Sequence, residues 1–184
     1  MLHAVIFDFD GVIVNSEPLH YQAYQDVLAP KGLGFSWDDY LSIYLGFDDR
    51  DCFRLHFKQA GRTLGESELA ELVRAKGDAF LKRVEKGEAA PYPGAVDFIR
   101  GLAERVPLAV CSGALPGDIW PVLNRLGLAP AFQVMVTAAD VKNSKPDPAC
   151  YVLTLKKLQA AYPEHGIRAG TCVAIEDSPW GVAA

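Results

Sequence analysis

Apolar residues in this 184-residue chain fall into two patterns. Four short apolar runs, at residues 4–9 (with Asp8 inside the first), 108–111, 134–137 and 171–175, are rich in aliphatic and β-branched residues and end abruptly in polar or turn residues. Runs of that length and composition read as buried strands. Between the later runs the apolar positions are spaced three and four apart. Ala95, Phe98, Ile99 and Leu102 share one helical face after the Pro93-Gly94 turn, and Ile119, Val122, Leu123 and Leu126 form another, closed by Gly127 as C-cap. With Asp118 as N-cap, Pro121 falls in that helix's first turn, where its missing N–H costs little. A third helix starts near Pro148 and carries Tyr151, Leu155 and Leu158. Strands that alternate with helices predict right-handed crossovers and a parallel sheet, an α/β fold.

Residues 16–89 break this rhythm with helical patterns alone. A start at Ser16-Glu17-Pro18 leads into the stripe Leu19, Ala23, Val27, which stops between Pro30 and Gly34. Ser36 and Asp39 have capping-box spacing. A turn at Gly46 precedes a helix through Phe53 and Phe57, ended by Gly61, and a longer helix runs from about Ser67 to Val84. The expected organisation is a Rossmann-like core from residues 1–15 and 90–184, with a helical accessory domain at 16–89 whose two ends meet the sheet.

Composition narrows the function classes. Half the residues are hydrophobic, 22% are charged and the net charge is −5, which disfavours nucleic acid or an anionic membrane as partner. No apolar stretch approaches the length of a membrane span, and the amino terminus lacks a basic-then-apolar signal. Cys52, Cys111, Cys150 and Cys172 are scattered, with Cys111 and Cys172 in strand-like runs, so they read as reduced core residues of a cytoplasmic protein. A monomer acting on a small molecule is expected.

The candidate chemistry lies where the strands end, which is where parallel α/β sheets bind ligands. The first run delivers Asp8 and Asp10 and turns at Gly11. The second ends in Cys-Ser-Gly-Ala, offering Ser112 and the amides of Gly113 and Ala114. Lys145 follows the third run, and Glu176-Asp177 follow the fourth. If these ends converge, four carboxylates meet one lysine. Two like charges 4 Å apart repel by about 4 kcal/mol at an effective dielectric of 20, so a cation is required. With only oxygen donors, the ion is hard, and Mg²⁺ is expected. Cation, lysine, hydroxyl and free amides make a cradle for phosphate. One strand-end aspartate can then attack phosphorus to form an aspartyl-phosphate, while the second serves the leaving oxygen and water as acid and base.

The segments "DFDGV", "VCSGA", "SKPDP" and "IEDSPWG" occur in that order across the chain. In this the chain resembles haloacid-dehalogenase-superfamily phosphatases with an α-helical cap after the first strand. The similarity is to the branch of sugar-phosphate phosphatases, phosphoglycolate phosphatases and β-phosphoglucomutase. The resemblance implies Asp8 as nucleophile and Mg²⁺ ligand, and Asp10 as acid/base whose backbone carbonyl serves the metal. It further implies Gly11, Ser112, Gly113, Ala114 and Lys145 around the phosphoryl group, and Glu176 and Asp177 completing the metal site. Asp10 argues against a dehalogenase, since halide leaves without a proton. Two departures stand out. Asn15 occupies a place where such relatives carry Asp, and the chain stops at Ala184 where relatives continue with a further strand. That stop leaves the fourth strand as a sheet edge and leads to the expectation that residues are missing.

Within the insert, Lys76 lies on the apolar stripe Leu69, Val73, Phe80, Val84, which directs it inward or toward a cleft. It is a candidate for reading the leaving group, with a snorkelling lysine as the plainer alternative. Arg50 is a second such candidate, with a salt bridge at a helix start as its alternative. His20 near the hinge is a third, with packing as its alternative. The activity expected is Mg²⁺-dependent hydrolysis of a small phosphate monoester, a sugar phosphate or a phosphoglycolate-like metabolite. A β-phosphoglucomutase-like mutase is the alternative within the family. A receiver-like phosphoaspartate switch is the alternative outside it, disfavoured by the large helical insert.

Overall fold

A computed structural model describes residues 1–45 and 47–184; the expected turn at Gly46 lies outside them. The four apolar runs become β1 (Ala4–Phe7), β2 (Leu108–Cys111), β3 (Val134–Val136) and β4 (Cys172–Ile175). They form one all-parallel sheet in the order β3-β2-β1-β4. Phe7 stands level with Val110 of β2 and Ile175 of β4, so the carboxyl ends of the three strands finish together. Side chains alternate across the sheet as strand geometry requires. Val5, Phe7, Leu108 and Val110 join a core on one face, while Ala4, Ile6, Ala109 and Cys111 join a second core on the other.

Helices cover both faces. They are α5 (Ala95–Ala103), α6 (Pro116–Arg125), α7 (Ala149–Ala161) and the short α8 (Pro179–Ala183). α6 differs from the expectation. It starts at Pro116 with Leu115 as N-cap, which leaves Asp118 buried in the first turn and Pro121 inside the helix. Proline at the first helical position is pre-set for helix, and the start lies three residues earlier than expected. Pro121 then withholds a bond only from the carbonyl of Gly117, an exposed residue that water can serve.

β1 is two residues shorter than its apolar run, because the chain tightens after Asp8. Ile13 and Val14 both donate to the Phe9 carbonyl, at 2.9 and 3.3 Å, and Gly11 has φ +74°. The segment that follows holds α1 (Glu17–Leu28), α2 (Trp37–Asp39), a π turn (Tyr40–Tyr44), α3 (Asp49–Gln59) and α4 (Glu66–Glu85). The Ser36–Asp39 capping box is present: Asp39 N–H donates to Ser36 Oγ at 3.0 Å and Ser36 N–H to Asp39 Oδ2 at 3.3 Å. These helices bury their own apolar cluster, centred on Tyr24, Tyr40, Phe53, Phe57 and Leu72. Leu19, Ala23, Phe80 and Val84 instead pack into the sheet's core, which ties α1 and α4 to the α/β layer. The connections in and out of the insert run side by side, with Asn15 N–H donating to Ala90 at 3.0 Å and Tyr92 N–H to Ile13 at 3.1 Å.

Among the described residues β4 pairs with β1 alone, and Val173 is half exposed. Among the described residues no helix is long and apolar enough to cross a membrane.

Candidate active site

The level ends of β1, β2 and β4 bring their polar residues to one place, and the loop after β3 supplies Lys145. The Lys145 ammonium lies 3.2 Å from Asp8 Oδ2, donates to the Cys111 carbonyl at 3.0 Å and contacts Glu176. Burial pushes the Asp8 carboxyl well above its usual range; Lys145 pulls it back, while Glu176 and Asp10 add to the rise. Burial also opposes charge on Lys145, but Asp8 and Glu176 outweigh it and hold the ammonium firmly protonated. Asp8, Glu176 and Asp177 each offer an oxygen, and these three atoms lie within 4.8 Å of one another. Burial and the neighbouring Glu176 and Asp10 also raise Asp177.

The glycines here are spatial requirements. A Cβ on Gly11 would sit 1.9 Å from Asp177 Oδ2, at a φ that side chains resist. A Cβ on Gly181, in the first turn of α8, would sit 1.9 Å from Glu176 Oε2. Gly11→Ala is therefore expected to force Asp177 aside and, where Asp8, Glu176 and Asp177 hold a divalent cation, to weaken it by about tenfold or more. A Mg²⁺ titration of the melting temperature checks this directly. An unchanged titration would separate Asp177 from metal binding.

Asp10 has different company. It is not one of the three clustered carboxylates; it accepts hydrogen bonds from Ser16 Oγ and from His20 Nε2, the latter at 3.1 Å. Ser16 is the N-cap residue of α1, yet its hydroxyl makes no cap bond because it is turned onto Asp10. Burial raises the Asp10 carboxyl, but the pull of His20, the bond from Ser16 and the nearby Lys76 outweigh it and leave it below the usual range. The His20 ring stacks on Phe80 at 4.2 Å and receives Lys76 Nζ on Nδ1 at 2.7 Å. Burial and Lys76 oppose charge on His20, but Asp10 and Glu17 outweigh them and raise its pKa; in the neutral ring Nδ1 accepts from Lys76 and Nε2 donates to Asp10.

Ser112 closes the opposite wall. Its N–H is used by Val136 at 3.0 Å, and its hydroxyl accepts from the Ala114 N–H at 3.0 Å, which shapes the turn holding Gly113. Asp8, Asp10, His20, Lys76, Ser112, Gly113, Ala114, Lys145 and Asp177 all line a single chamber of about 60 Å³. Glu176 stands behind it, held by Lys145 and Tyr151.

Arg50 is placed elsewhere. Its guanidinium donates to Asp48 Oδ2 at 2.8 Å and to the Ala138 carbonyl at 3.0 Å, on the wall of a larger outer groove of about 720 Å³. Lys76 is fully buried and ion-paired with Asp49 at 2.7 Å. Several residues at the site carry no motif. Tyr151 donates to Glu176 and lays its ring 5.2 Å from the Lys145 ammonium. Glu17, Tyr24, Tyr40 and Asp49 line the chamber from the helical side. The one sequence signal for Tyr151 is its place in the first turn of the helix that follows Lys145. The other four look like ordinary members of amphipathic helices.

Comparison with known proteins agrees with this geometry. Residues 2–184 match the family model for haloacid dehalogenase-like hydrolases. The chain is 32% identical over 186 residues to a phosphorylated carbohydrates phosphatase of Thermotoga maritima, covering 100% of this chain and 80% of that one. It is 29% identical over 182 residues to the fructose-1-phosphate phosphatase YqaB of Escherichia coli, covering 98% and 89%. Its fold matches the crystal structure of CbbY from Rhodobacter sphaeroides in complex with phosphate, with TM-score 0.86 at 24% identity, covering 100% and 81%.

Proposed function

Because this chain belongs to the haloacid dehalogenase-like hydrolase family, we propose that it hydrolyses a small sugar-phosphate monoester through a phosphorylated Asp8, with Mg²⁺ bound. The observation that carries this reading is the Asp8–Lys145 pair, 3.2 Å apart, facing the Ser112–Gly113 turn in one buried chamber with Asp10.

In the first half-reaction an Asp8 oxygen attacks phosphorus and the bond to the leaving oxygen breaks. Asp10 lies below the usual carboxylate range in the free site, and the arriving phosphate charge favours a proton on it; protonated Asp10, held by Ser16 and His20, then gives that proton to the leaving oxygen and becomes the carboxylate. Lys145 and the Ser112 hydroxyl neutralise and orient the phosphoryl oxygens. In the second half-reaction Asp10 takes a proton from water, the water oxygen attacks phosphorus, and the bond to Asp8 breaks to release phosphate. The cluster fits a hard divalent ion: three oxygen donors lie within 4.8 Å, and their mutual repulsion exceeds what Lys145 alone offsets. Asp8, Glu176 and Asp177 would hold Mg²⁺, which supplies electrostatic stabilisation of the transferring phosphoryl group.

The helical insert, residues 16–89, acts in this reading as a cap that closes over the substrate. A chamber of about 60 Å³ is too small to admit a sugar phosphate as it stands, so entry requires the insert to lift. The contacts released would be Ser144 Oγ to Asp51 Oδ2 at 2.8 Å and Arg50 to Ala138, which bridge the insert and the sheet layer.

The test is phosphate release from a panel of phosphorylated metabolites with Mg²⁺ present. Turnover of sugar monophosphates at kcat/KM of about 10⁴ M⁻¹s⁻¹ or above is the expected result. Supplying β-glucose 1-phosphate with a trace of glucose 1,6-bisphosphate distinguishes the mutase alternative. Free phosphate as the main product supports the hydrolase, and faster formation of glucose 6-phosphate contradicts it.

A further inference from the structure

The Lys145 ammonium is fully committed. It has three N–H groups, and three protein oxygens stand around it: Asp8 Oδ2 at 3.2 Å, the Cys111 carbonyl at 3.0 Å and Glu176 Oε1. A phosphoryl oxygen held by Lys145 must therefore displace one of them. The Cys111 carbonyl belongs to the buried last residue of β2 and is fixed by the sheet. Asp8 is the nucleophile, and its buried carboxylate depends on the lysine's charge. Glu176 is the partner that can be released, because Lys145 is not its only donor.

Tyr151 is the other. Its hydroxyl donates to the same oxygen, Glu176 Oε1, and a phenol stays protonated at neutral pH. Its ring lies 5.2 Å from the Lys145 ammonium, within cation–π range. That attraction uses the face of the ring and takes up no N–H, so the ammonium can exchange one oxygen for another without leaving the ring. Both groups come from one short stretch, Lys145 in the loop before α7 and Tyr151 in its first turn. Among the described residues, Glu176 has one further contact, from Ser178 Oγ to Oε2 at 3.5 Å, the long limit of a hydrogen bond. Without the phenol, Lys145 would be the one close donor on that carboxylate.

We infer that Tyr151 is a positioning residue: its hydroxyl takes over Glu176 as Lys145 turns from that carboxylate to the phosphoryl group, and its ring keeps the ammonium in place during the exchange. The inference rests on the phosphoryl-transfer reading and deepens it, adding a residue that touches neither the substrate nor the metal. Phenylalanine at this position would keep the ring and lose the exchange.

Inorganic phosphate is the probe. The full chain with saturating Mg²⁺ is titrated with phosphate, and the rise in melting temperature gives a Kd without need of turnover. Tyr151→Phe is expected to melt with the wild type when phosphate is absent. It is expected to bind phosphate at least about fivefold more weakly, since Lys145 stays on Glu176. In a Glu176→Gln background, whose neutral amide holds the ammonium less, adding Tyr151→Phe is expected to change the phosphate Kd by less than about twofold. An unchanged Kd in Tyr151→Phe overturns the inference. So does an equal loss in both backgrounds, which would place the hydroxyl's effect elsewhere than Glu176. Failure of Tyr151→Phe to fold overturns it too, by making the hydroxyl structural; should Glu176→Gln fail to fold, the single variant decides alone. A wild type that hydrolyses esters but binds no phosphate overturns the inference and leaves the hydrolase reading standing. Hydrolysis of neither sugar phosphates nor p-nitrophenyl phosphate by the wild type overturns that reading and the inference with it.

Discussion

Asp8→Asn is expected to reduce phosphate release from every substrate by about 10³-fold or more, while the protein stays folded. Asparagine matches the volume of aspartate and keeps an oxygen toward Lys145, but its amide does not attack phosphorus. The substitution also takes one carboxylate from a cluster in which burial and Glu176 already push the Asp8 carboxyl upward. Metal-free Asp8→Asn should for that reason melt no lower than the metal-free wild type. Phosphate release and the melting curve, taken on the same preparation, check both halves. Activity within tenfold of wild type would remove Asp8 from the nucleophile role.

Chelation is expected to have an effect of similar size. With EDTA, phosphate release should fall to background and return on addition of excess Mg²⁺. Without the ion, Asp8, Glu176 and Asp177 face one another within 4.8 Å with Lys145 as the nearby cation. A ligand at one hundred times its Kd stabilises the folded state by about 2.7 kcal/mol. For a chain of this size that raises the melting temperature by about 5–10 °C. In Asp8→Asn the Mg²⁺-dependent rise should shrink by at least half, since a ligand is lost. Full activity in EDTA, or a melting curve indifferent to Mg²⁺, would contradict the assignment of the cluster.

Much of the fold was legible because it rests on local rules. The four strands follow from short apolar runs, the parallel sheet from their alternation with helices, and the capping box from Ser36 and Asp39 at the right spacing. The convergence of Asp8, Ser112, Lys145 and Asp177 follows from one topological rule, since parallel strands all present their carboxyl ends on the same side. What the sequence concealed depends on long-range packing. The start of α6 turned on whether Leu115 or Asp118 is its N-cap, a difference of three residues. Arg50 and Lys76 look alike as basic residues on amphipathic helices. One is held outward by Asp48 and Ala138, and the other is drawn inward by Asp49 and His20. Asp48 is the N-cap of Arg50's own helix, the local salt bridge the sequence offered as its alternative, whereas Ala138, Asp49 and His20 come from other elements and no local pattern announces them.

The central claim is that Asp8 carries the phosphoryl group and Asp10 moves the protons. Asp10→Asn mixed with excess p-nitrophenyl phosphate and Mg²⁺ in a quenched-flow mass measurement tests it most directly. Nitrophenolate departs without an acid, so phosphorylation proceeds, whereas the water step lacks its base and slows. The account predicts a burst of nitrophenolate equal to the enzyme concentration and a phosphate adduct on the peptide that contains Asp8. An adduct on any other residue, or steady turnover with neither burst nor adduct, would contradict it.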